Sequence, residues 1–300
     1  MKQKNYFEKK IKNFFFSNLK KINIKKNDIV YLGLDLLKFY SPFVKIFPNY
    51  PRNKLNTYLC ELFFNLLKEY ISKNGTLIYP GFTWSFIIKK KFNKYKTSPE
   101  VGSFGNYIFR QKGIERSNHP INSLISWGKK KKIITNNHGS YSFGYNSPFN
   151  KFYELNVKFL NIGAPFYDTC TYIHHLEHLN GCNHRFYKLV EGKVYISNKL
   201  VKKDIFFLAK YKSYSNKIKR NEKLLYDNLL KKKKAIVSKK YNILFSAIST
   251  VNVLKEGMSL LNKNSSIFMK KNIQVIFNEN NQTIKDKKNI VKIKYRLNLN

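Results

Sequence analysis

The chain has 300 residues, 43% of them hydrophobic, which is enough to bury the core of one large or two modest domains. It carries 57 Lys and Arg against 17 Asp and Glu, a formal net charge of +40. These numbers exclude a disordered chain, and the absence of any apolar run of roughly 18 residues excludes a transmembrane helix. The three cysteines, Cys60, Cys170 and Cys182, are odd in number and lack metal-ligand spacing, so reduced thiols are expected.

The positive charge is spread along the whole chain. Lysine is abundant together with Asn, Ile, Phe and Tyr, the set that A/T-rich codons encode, and this favours compositional bias over selected binding to a polyanion. The field still attracts anionic ligands such as nucleotides and repels polycations. The N-terminus is basic but has no small-residue cleavage site after an apolar region, so a cytoplasmic protein is expected.

The first predicted element is an amphipathic helix within residues 1–24. Three consecutive phenylalanines at 14–16 lie among lysines, a pattern that suits either packing of one apolar face or contact with an anionic membrane surface. We favour packing against the rest of the protein.

A strand, a helix and a second strand follow. Residues 28–34 and 76–80 are typical of buried strands, and between them apolar residues recur at helical spacing from Arg52 to Ser72. This order implies parallel pairing. We predict an α/β fold: one domain, residues 25–270, with a central mixed, largely parallel sheet flanked by helices and carrying insertions. Residues 271–300 are predicted to add C-terminal strands that complete the domain.

Loops after the strands hold polar side chains. The segment 81–86 leaves the carboxyl end of the second strand, and 113–123 follows a short helix. In the latter, Pro120 restricts His119 to an extended backbone, which suits a rigid binding loop. The segment 143–149 has turn composition and is another candidate binding loop.

The densest titratable chemistry lies in residues 168–181, predicted as a helix that begins at side-chain capping oxygens and ends at Gly181. Its spacing puts His174, Glu177 and His178 on one face. An apolar strand precedes it, so the helix lies where α/β proteins commonly place an active site.

Five segments with these features occur in a fixed order. They are GTLIYPGFTW (75–84), SPEVG (98–102), GIERSNHPINS (113–123), FGYNSPF (143–149) and TYIHHLE (171–177). In this order the chain resembles the aminoglycoside 3-N-acetyltransferase family, which moves an acetyl group from acetyl-CoA to an amine of an amino sugar. Each motif alone is weak, but five in order at compatible spacing are a strong signal over about residues 25–195, with a weaker helical match near 250–270.

The resemblance implies a single α/β domain that binds CoA in a cleft beside the amine site. It also implies that the His-x-x-Glu helix supplies the catalytic base, here His174 with Glu177. The predicted cofactor-binding residues are Ser117, His119, Ser123, Ser147 and Thr171. The family's first strand often ends in a His-Ser pair near the cofactor, whereas this chain has Gly33 and Leu34, so one hydroxyl contact to CoA is expected to be lost.

The mechanism expected is direct transfer without a covalent acetyl-enzyme. An imidazole suits removal of the amine proton, and a carboxylate beside it orients the ring and stabilises its charged form. These are the roles assigned to His174 and Glu177. Cys170 is expected to be buried rather than a nucleophile, and no metal is expected.

Two alternatives belong to other classes of protein. His174 to His178 spell His-x-x-Glu-His, the inverted zinc-protease pattern in which both histidines bind zinc and Glu177 activates water, with Glu191 or Glu256 as a further ligand. A non-catalytic basic protein that binds polyanions is the other alternative.

The acceptor is predicted from charge. Aminoglycosides are polycations, and only 17 acidic residues are available to bind them, so an anionic amino sugar, nucleotide-linked or destined for a surface polysaccharide, is favoured over an antibiotic. The partners expected are acetyl-CoA and this acceptor, with no specific nucleic acid and no transmembrane segment. A homo-oligomer is an open alternative.

Overall fold

The structure is a computed structural model that describes residues 2–182, 184–196, 199–210, 220–269 and 290–291. Its strands, in chain order, are β1 (Ile29–Leu34), β2 (Thr76–Pro80), β3 (Lys91–Phe92), β4 (Glu115–Arg116), β5 (Leu124–Gly128), β6 (Lys158–Ile162), β7 (Arg185–Ile196), β8 (Lys199–Lys210), β9 (Ala235–Lys240), β10 (Ile243–Ser249) and β11 (Ile290–Val291). Its helices are α1 (Lys2–Lys21), α2 (Leu37–Ile46), α3 (Arg52–Ile71), α4 (Phe86–Lys89), α5 (Gly102–Phe109), α6 (Lys131–Thr135), α7 (Lys151–Glu154), α8 (Phe166–Thr169), α9 (Tyr172–Asn180), α10 (Lys223–Lys231) and α11 (Thr250–Lys263), with a 3-10 turn at Pro148–Asn150.

The main sheet has seven strands in the order β4-β5-β2-β1-β6-β10-β9. The predicted α/β fold with a mixed, helix-flanked sheet is confirmed. The expectation of a largely parallel sheet was wrong, because β1 pairs in parallel with β2 and β6 while the four outer pairs are antiparallel. The strand-helix-strand pattern of the sequence predicts parallel pairing only for the central strands of the sheet. The β9–β10 pair instead joins through Tyr241 and Asn242, both at positive φ, as a two-residue hairpin requires.

A second, smaller sheet is built around β7. Strand β8 pairs with β7 along its whole length, and β3 and β11 pair with its other edge at two separate places. Gly192, which has turn character in the sequence, lies inside β7, where a side chain would overlap Phe86. The hairpin of β7 and β8 begins a few residues after α9 ends.

The N-terminal helix packs on the main domain. Phe15 and Leu19 of α1 are fully buried in one core with β1 and α3, and this agrees with packing of an apolar face. Of the predicted C-terminal strands at 271–300, only β11 belongs to the described residues, and the rest lies outside them. Across the described ranges, no helix has the length and apolarity to cross a bilayer.

Candidate active site

Helix α9 carries the site, and the short elements β6 and α8 precede this helix in the chain. Strand β6 runs into α8, and the chain breaks at Cys170 before α9 begins, so the single helix predicted over 168–181 is in fact two. At this break the hydroxyl of Thr169 donates to Oδ1 of Asn161 at 2.6 Å and does not cap α9. The predicted end is confirmed, because Gly181 adopts φ +68 and closes α9.

Glu177 is the centre of a buried polar cluster. Its Oε2 lies 2.7 Å from Nδ1 of His174, and its Oε1 lies 3.1 Å from Nε2 of His184. Nε of Arg185 lies 2.9 Å from the same Oε2. Burial alone would raise the pKa of Glu177, but the charge of Arg185 and the hydrogen bonds from both histidines hold that pKa well below its usual range. The carboxylate is therefore ionised and held from three sides.

The tautomer of His174 follows from its partners. Nη1 of Arg220 lies 3.2 Å from Nε2, and a guanidinium only donates, so Nε2 is the nitrogen with the lone pair and Nδ1–H donates to Glu177. Nη2 of Arg185 also lies 3.0 Å from Nδ1, but the ionised carboxylate is the acceptor that fixes the proton there.

The charge state of His174 follows from the same neighbours. Burial first, and then Arg185 and Arg220, lower the pKa of His174 to about 3 against the opposing effect of Glu177. The ring is neutral at physiological pH. It can accept a proton at Nε2, but Arg220 contacts that nitrogen in this structure.

The loop 142–147 lies directly on α9. The ring of Phe143 is 5.6 Å from that of His174, and the N–H of Gly144 donates to Nδ1 of His175 at 3.1 Å. Tyr187 of β7 donates to the carbonyl of Phe143 at 3.0 Å. The structure thus brings the loop 142–147 and α9 together, although His174 lies nearly thirty residues after the loop in the chain.

Three of the predicted cofactor-binding residues are serines that are buried and bonded within the loops. Oγ of Ser117 accepts the N–H of Leu124 at 2.9 Å, and Oγ of Ser123 donates to the carbonyl of Gly81 at 2.6 Å. Oγ of Ser147 donates to the carbonyl of residue 144 at 2.8 Å. These bonds shape the loops, and contact of the hydroxyls with CoA stays a prediction.

The other two predicted cofactor-binding residues differ in exposure. His119 is buried, accepts the N–H of Asn122 at Nδ1 and lies 3.4 Å from the hydroxyl of Ser142. Burial lowers its pKa to about 3, so it is a neutral hydrogen-bonding group. Thr171 is half-buried just before α9, three residues from His174, and its carbonyl accepts the N–H of His174. Their contact with a cofactor also stays a prediction.

Arg116 is a loop-anchoring residue that sequence reasoning missed. Its buried guanidinium donates to Thr83 Oγ1 at 2.7 Å and to Ser123 Oγ at 2.9 Å, and it also donates to the carbonyls of Gly81 and Thr97. Burial lowers its pKa to about 9. One side chain therefore joins three loops that the family motifs mark separately. Its place inside the motif at 113–123 was the available signal.

His184, Arg185 and Arg220 were also missed. His184 and Arg185 lie in a segment that has only strand character in the sequence, and Arg220 lies outside every motif. Their convergence on Glu177 and His174 arises from the path of the chain after α9. No local pattern in the sequence indicates it.

Gly33, near the end of β1, has no room for a side chain. A side chain at position 33 would overlap the hydroxyl of Thr169 and approach Oδ1 of Asn161. The space beside Gly33 is therefore filled by Thr169 from α8.

The inverted zinc-protease alternative does not fit the geometry. Nδ1 of His178 lies 3.1 Å from the hydroxyl of Tyr187. Glu191 is exposed beside Lys202, and Glu256 pairs with Lys232 and Lys234. Among the described residues, no three His, Cys, Asp or Glu side chains are grouped to hold a metal ion. The predicted ligands do not converge.

Comparison of the sequence with known proteins finds a family and a relative. A family model described as aminoglycoside 3-N-acetyltransferase matches residues 60–259. A Bacillus subtilis (strain 168) relative, the SPbeta prophage-derived aminoglycoside N(3')-acetyltransferase-like protein YokD, is 34% identical over 101 residues, 32% of this chain and 37% of that protein. The aligned segment thus spans little more than a third of that relative.

Solved structures resemble nearly the whole chain. The crystal structure of YokD from Bacillus subtilis has a TM-score of 0.65 at 19% identity, covering 84% of this chain and 99% of that one. Sisomicin-bound AAC-VIa has a TM-score of 0.68 at 14% identity, with coverage of 84% and 97%. AAC-IIIb in its binary complex with CoASH has a TM-score of 0.67 at 15% identity, with coverage of 87% and 98%. At these identities the likeness shows a shared fold.

Proposed function

This chain belongs to the aminoglycoside 3-N-acetyltransferase family, and on that premise we propose that it moves an acetyl group from acetyl-CoA to an amine of an amino sugar. The observation that carries the proposal is the pair of His174 and Glu177 on α9, seated under the loop 142–147. A relative of the same fold is solved with CoASH and another with sisomicin, which supports a two-substrate site. The proposal keeps the cytoplasmic location expected from the sequence, and a homo-oligomer stays a prediction.

The reaction steps follow from the tautomer of His174. The nitrogen of the acceptor amine attacks the thioester carbonyl, and Nε2 of His174 takes the proton from that amine. The ring becomes an imidazolium that Glu177 stabilises through Nδ1. The tetrahedral intermediate then collapses, its C–S bond breaks, and the proton on Nε2 passes to the leaving thiolate. Thr171 is one candidate donor to the oxyanion. The acetyl group ends as an amide, and His174 returns neutral.

The charges around His174 bear on the acceptor. Arg220 contacts Nε2 and is itself paired with Glu222, and Arg185 lies at Nδ1. Among the described residues, the carboxylate in contact with the ring is that of Glu177, which is already engaged by Arg185 and His184. A polycation brought to this nitrogen would meet two guanidinium groups, whereas a phosphate or carboxylate would be attracted to them. We therefore infer an anionic amino sugar, nucleotide-linked or from a surface polysaccharide, as acceptor. Its anionic group would draw Arg220 off Nε2 and leave that nitrogen able to take the proton.

A test of the base uses acetyl-CoA consumption. His174→Ala should lower turnover by a factor of about 10²–10⁴ while acetyl-CoA binding, measured by calorimetry, is retained. His138→Ala is the matched control, since this histidine bonds the carbonyl of Ile134 outside the cluster. Turnover by His174→Ala at the wild-type rate would reject the role as base.

A separate test addresses the acceptor class. The wild-type enzyme should acetylate nucleotide-linked amino sugars faster than neutral amino sugars, and these faster than aminoglycosides. Arg220→Gln should raise KM for the anionic acceptor about tenfold or more and leave the neutral acceptor nearly unchanged. The exposed Arg110 provides the matched Arg→Gln control. Faster wild-type turnover of aminoglycosides would overturn the acceptor class without touching the base. Salt-dependent binding to random nucleic acid, with no acetyl-CoA consumed with any acceptor, would favour the polyanion-binding alternative.

A further inference from the structure

A cavity of about 580 Å³, apart from the candidate active site, lies between α1, α2, α3 and the turn that joins β9 to β10. Its walls are mainly apolar and include Ile11, Phe14, Phe39, Pro42, Leu59 and Phe63. None of its lining residues belongs to α9 or to the loop 142–147. Its volume lies within the roughly 300–1,000 Å³ that small-molecule sites occupy.

The cavity lies at the edge of the apolar face of α1. Phe15 and Leu19 point into the main core and are fully buried, while Ile11 and Phe14 are only partly buried and line the cavity. Helix α1 therefore packs on the core as predicted, and the side chains of Ile11 and Phe14 still expose apolar surface to solvent in the cavity. Covering such surface is favourable by about 25 cal/mol per Å².

Large apolar side chains also remain exposed at the edge of the cavity. Ile46, the last residue of α2, is 54% exposed, and Tyr241 of the β9–β10 turn is 77% exposed. Single exposed apolar residues are ordinary on a protein surface, but these two border one concave apolar surface.

The polar part of the cavity is cationic. Lys10 and Lys240 line it, and their ammonium groups lie 4.5 Å and 5.3 Å from the ring centroids of Tyr6 and Tyr241. Among the described residues that line the cavity, none is acidic. An apolar wall with two ammonium groups beside it complements a molecule that has one apolar chain and one anionic end.

We propose that this cavity binds a single-chain fatty acid. The acyl chain lies along Phe14, Pro42 and Ile46, whose side chains are partly or largely exposed, and the carboxylate contacts Lys10 and Lys240. This site is separate from the acetyl-transfer site, and its test does not depend on any acetyl acceptor.

The test is a calorimetric titration of the protein with saturated fatty acids from octanoate to tetradecanoate, each below its critical micelle concentration. Each buried methylene contributes about 0.8 kcal/mol, so affinity should rise about fourfold per added carbon and level off when the cavity is full, with one molecule bound. Dodecyltrimethylammonium, with the same chain and a cationic head, should bind at least tenfold more weakly than dodecanoate. Affinity without chain-length dependence, equal binding of the cationic amphiphile, or no saturable binding would each overturn the proposal.

Variants connect the binding to the cavity. Lys10→Glu with Lys240→Glu should weaken dodecanoate at least tenfold and improve dodecyltrimethylammonium, whereas Lys199→Glu with Lys203→Glu, on exposed positions of β8, should change neither. Ser17→Phe, at an exposed position that lines the cavity, should weaken dodecanoate by filling the space. All these positions are exposed, so thermal unfolding should verify that each variant is folded. Wild-type affinity in both the Lys10/Lys240 and Ser17 variants would place the fatty acid elsewhere and reject the site.

Discussion

Nδ1 of His174 lies 2.7 Å from Oε2 of Glu177, one turn further along α9. The same oxygen lies 2.9 Å from Nε of Arg185 at the start of β7, so one carboxylate joins the helix to the smaller sheet. Glu177 therefore has two roles that can be separated by experiment, because it orients an imidazole and neutralises a buried guanidinium.

Glu177→Gln should destabilise the protein as well as slow acetyl transfer. The amide leaves Arg185 buried without a counter-charge, and breaking a buried pair in this way costs about 3–5 kcal/mol in the free energy of unfolding. Urea denaturation measures the loss. Glu191→Gln is the matched control, because its exposed pair with Lys202 should contribute less than about 1 kcal/mol. Equal stabilities for the two variants would contradict the role of Glu177 as counter-charge.

Gly144→Ala should displace the loop from α9. Residue 144 has φ +92, and a Cβ there would overlap Nε2 of His178. Gly113→Ala is the control for backbone strain alone, since φ is +80 there but the nearest neighbour of an added Cβ is Nζ of Lys131 at 3.9 Å. Strain alone costs about 1 kcal/mol or somewhat more. We expect Gly144→Ala to lose clearly more stability than the control, with acetyl transfer reduced at least tenfold. Full activity in Gly144→Ala would show that the loop position does not matter.

Arg116→Met should loosen three loops together. It removes the guanidinium donors to the carbonyls of Gly81 and Thr97 and to the hydroxyl of Thr83. The carbonyl of Gly81 keeps the hydroxyl of Ser123 as a donor, whereas the acceptors of Thr97 and Thr83 lose theirs, and each buried acceptor left unpaired costs about 1–3 kcal/mol. Arg116→Lys should recover little, because a single ammonium does not reproduce the planar fork of a guanidinium. The exposed Arg110→Met is the control, and thermal unfolding is the measurement. A stability close to wild type in Arg116→Met would refute the anchoring role.

Stability should fall in acid at a pH above the usual range of carboxylate titration. Burial lowers the pKa of both His119 and His175 to about 3, whereas the unfolded value is about 6.5. Because the folded pKa is the lower one, the unfolded chain takes up protons first as the pH drops below about 6.5. The stabilisation is therefore complete above that pH and is lost towards pH 3, by up to about 1.4 kcal/mol per pH unit for each histidine.

The lowered pKa of Glu177 adds to this loss at lower pH, because the unfolded carboxylate protonates at about 4.3 while the folded one stays ionised. Urea unfolding between pH 7.5 and 4 measures the slope, and His119→Gln should reduce it. Stability that stays constant from pH 7.5 to pH 5 would contradict the burial of neutral histidines.

Much of the candidate site was visible in the sequence as separate parts. The helical spacing of His174 and Glu177, the closing glycine at 181 and the loop 143–149 were each predicted from local pattern. The residues around them were not, because Arg185 and Arg220 contact His174 from parts of the chain outside α9 that no local pattern links to it. The side-chain cap predicted for the helix was not found, since Thr171 precedes α9 without a side-chain cap bond and the hydroxyl of Thr169 bonds Asn161 across the fold.

Hydrophobic periodicity, glycine positions and ordered motifs are local properties of the chain, and they were enough to predict the α/β class, the central strand-helix-strand unit and the chemistry on α9. The antiparallel outer strands, the neutral tautomer of His174 and the two guanidinium groups beside it follow from the folding of distant segments together. These depend on which distant residues share one desolvated space, where burial and charges a few ångströms away set the pKa of His174 and decide which of its nitrogens carries the lone pair. The spacing of residues along a chain does not encode that proximity.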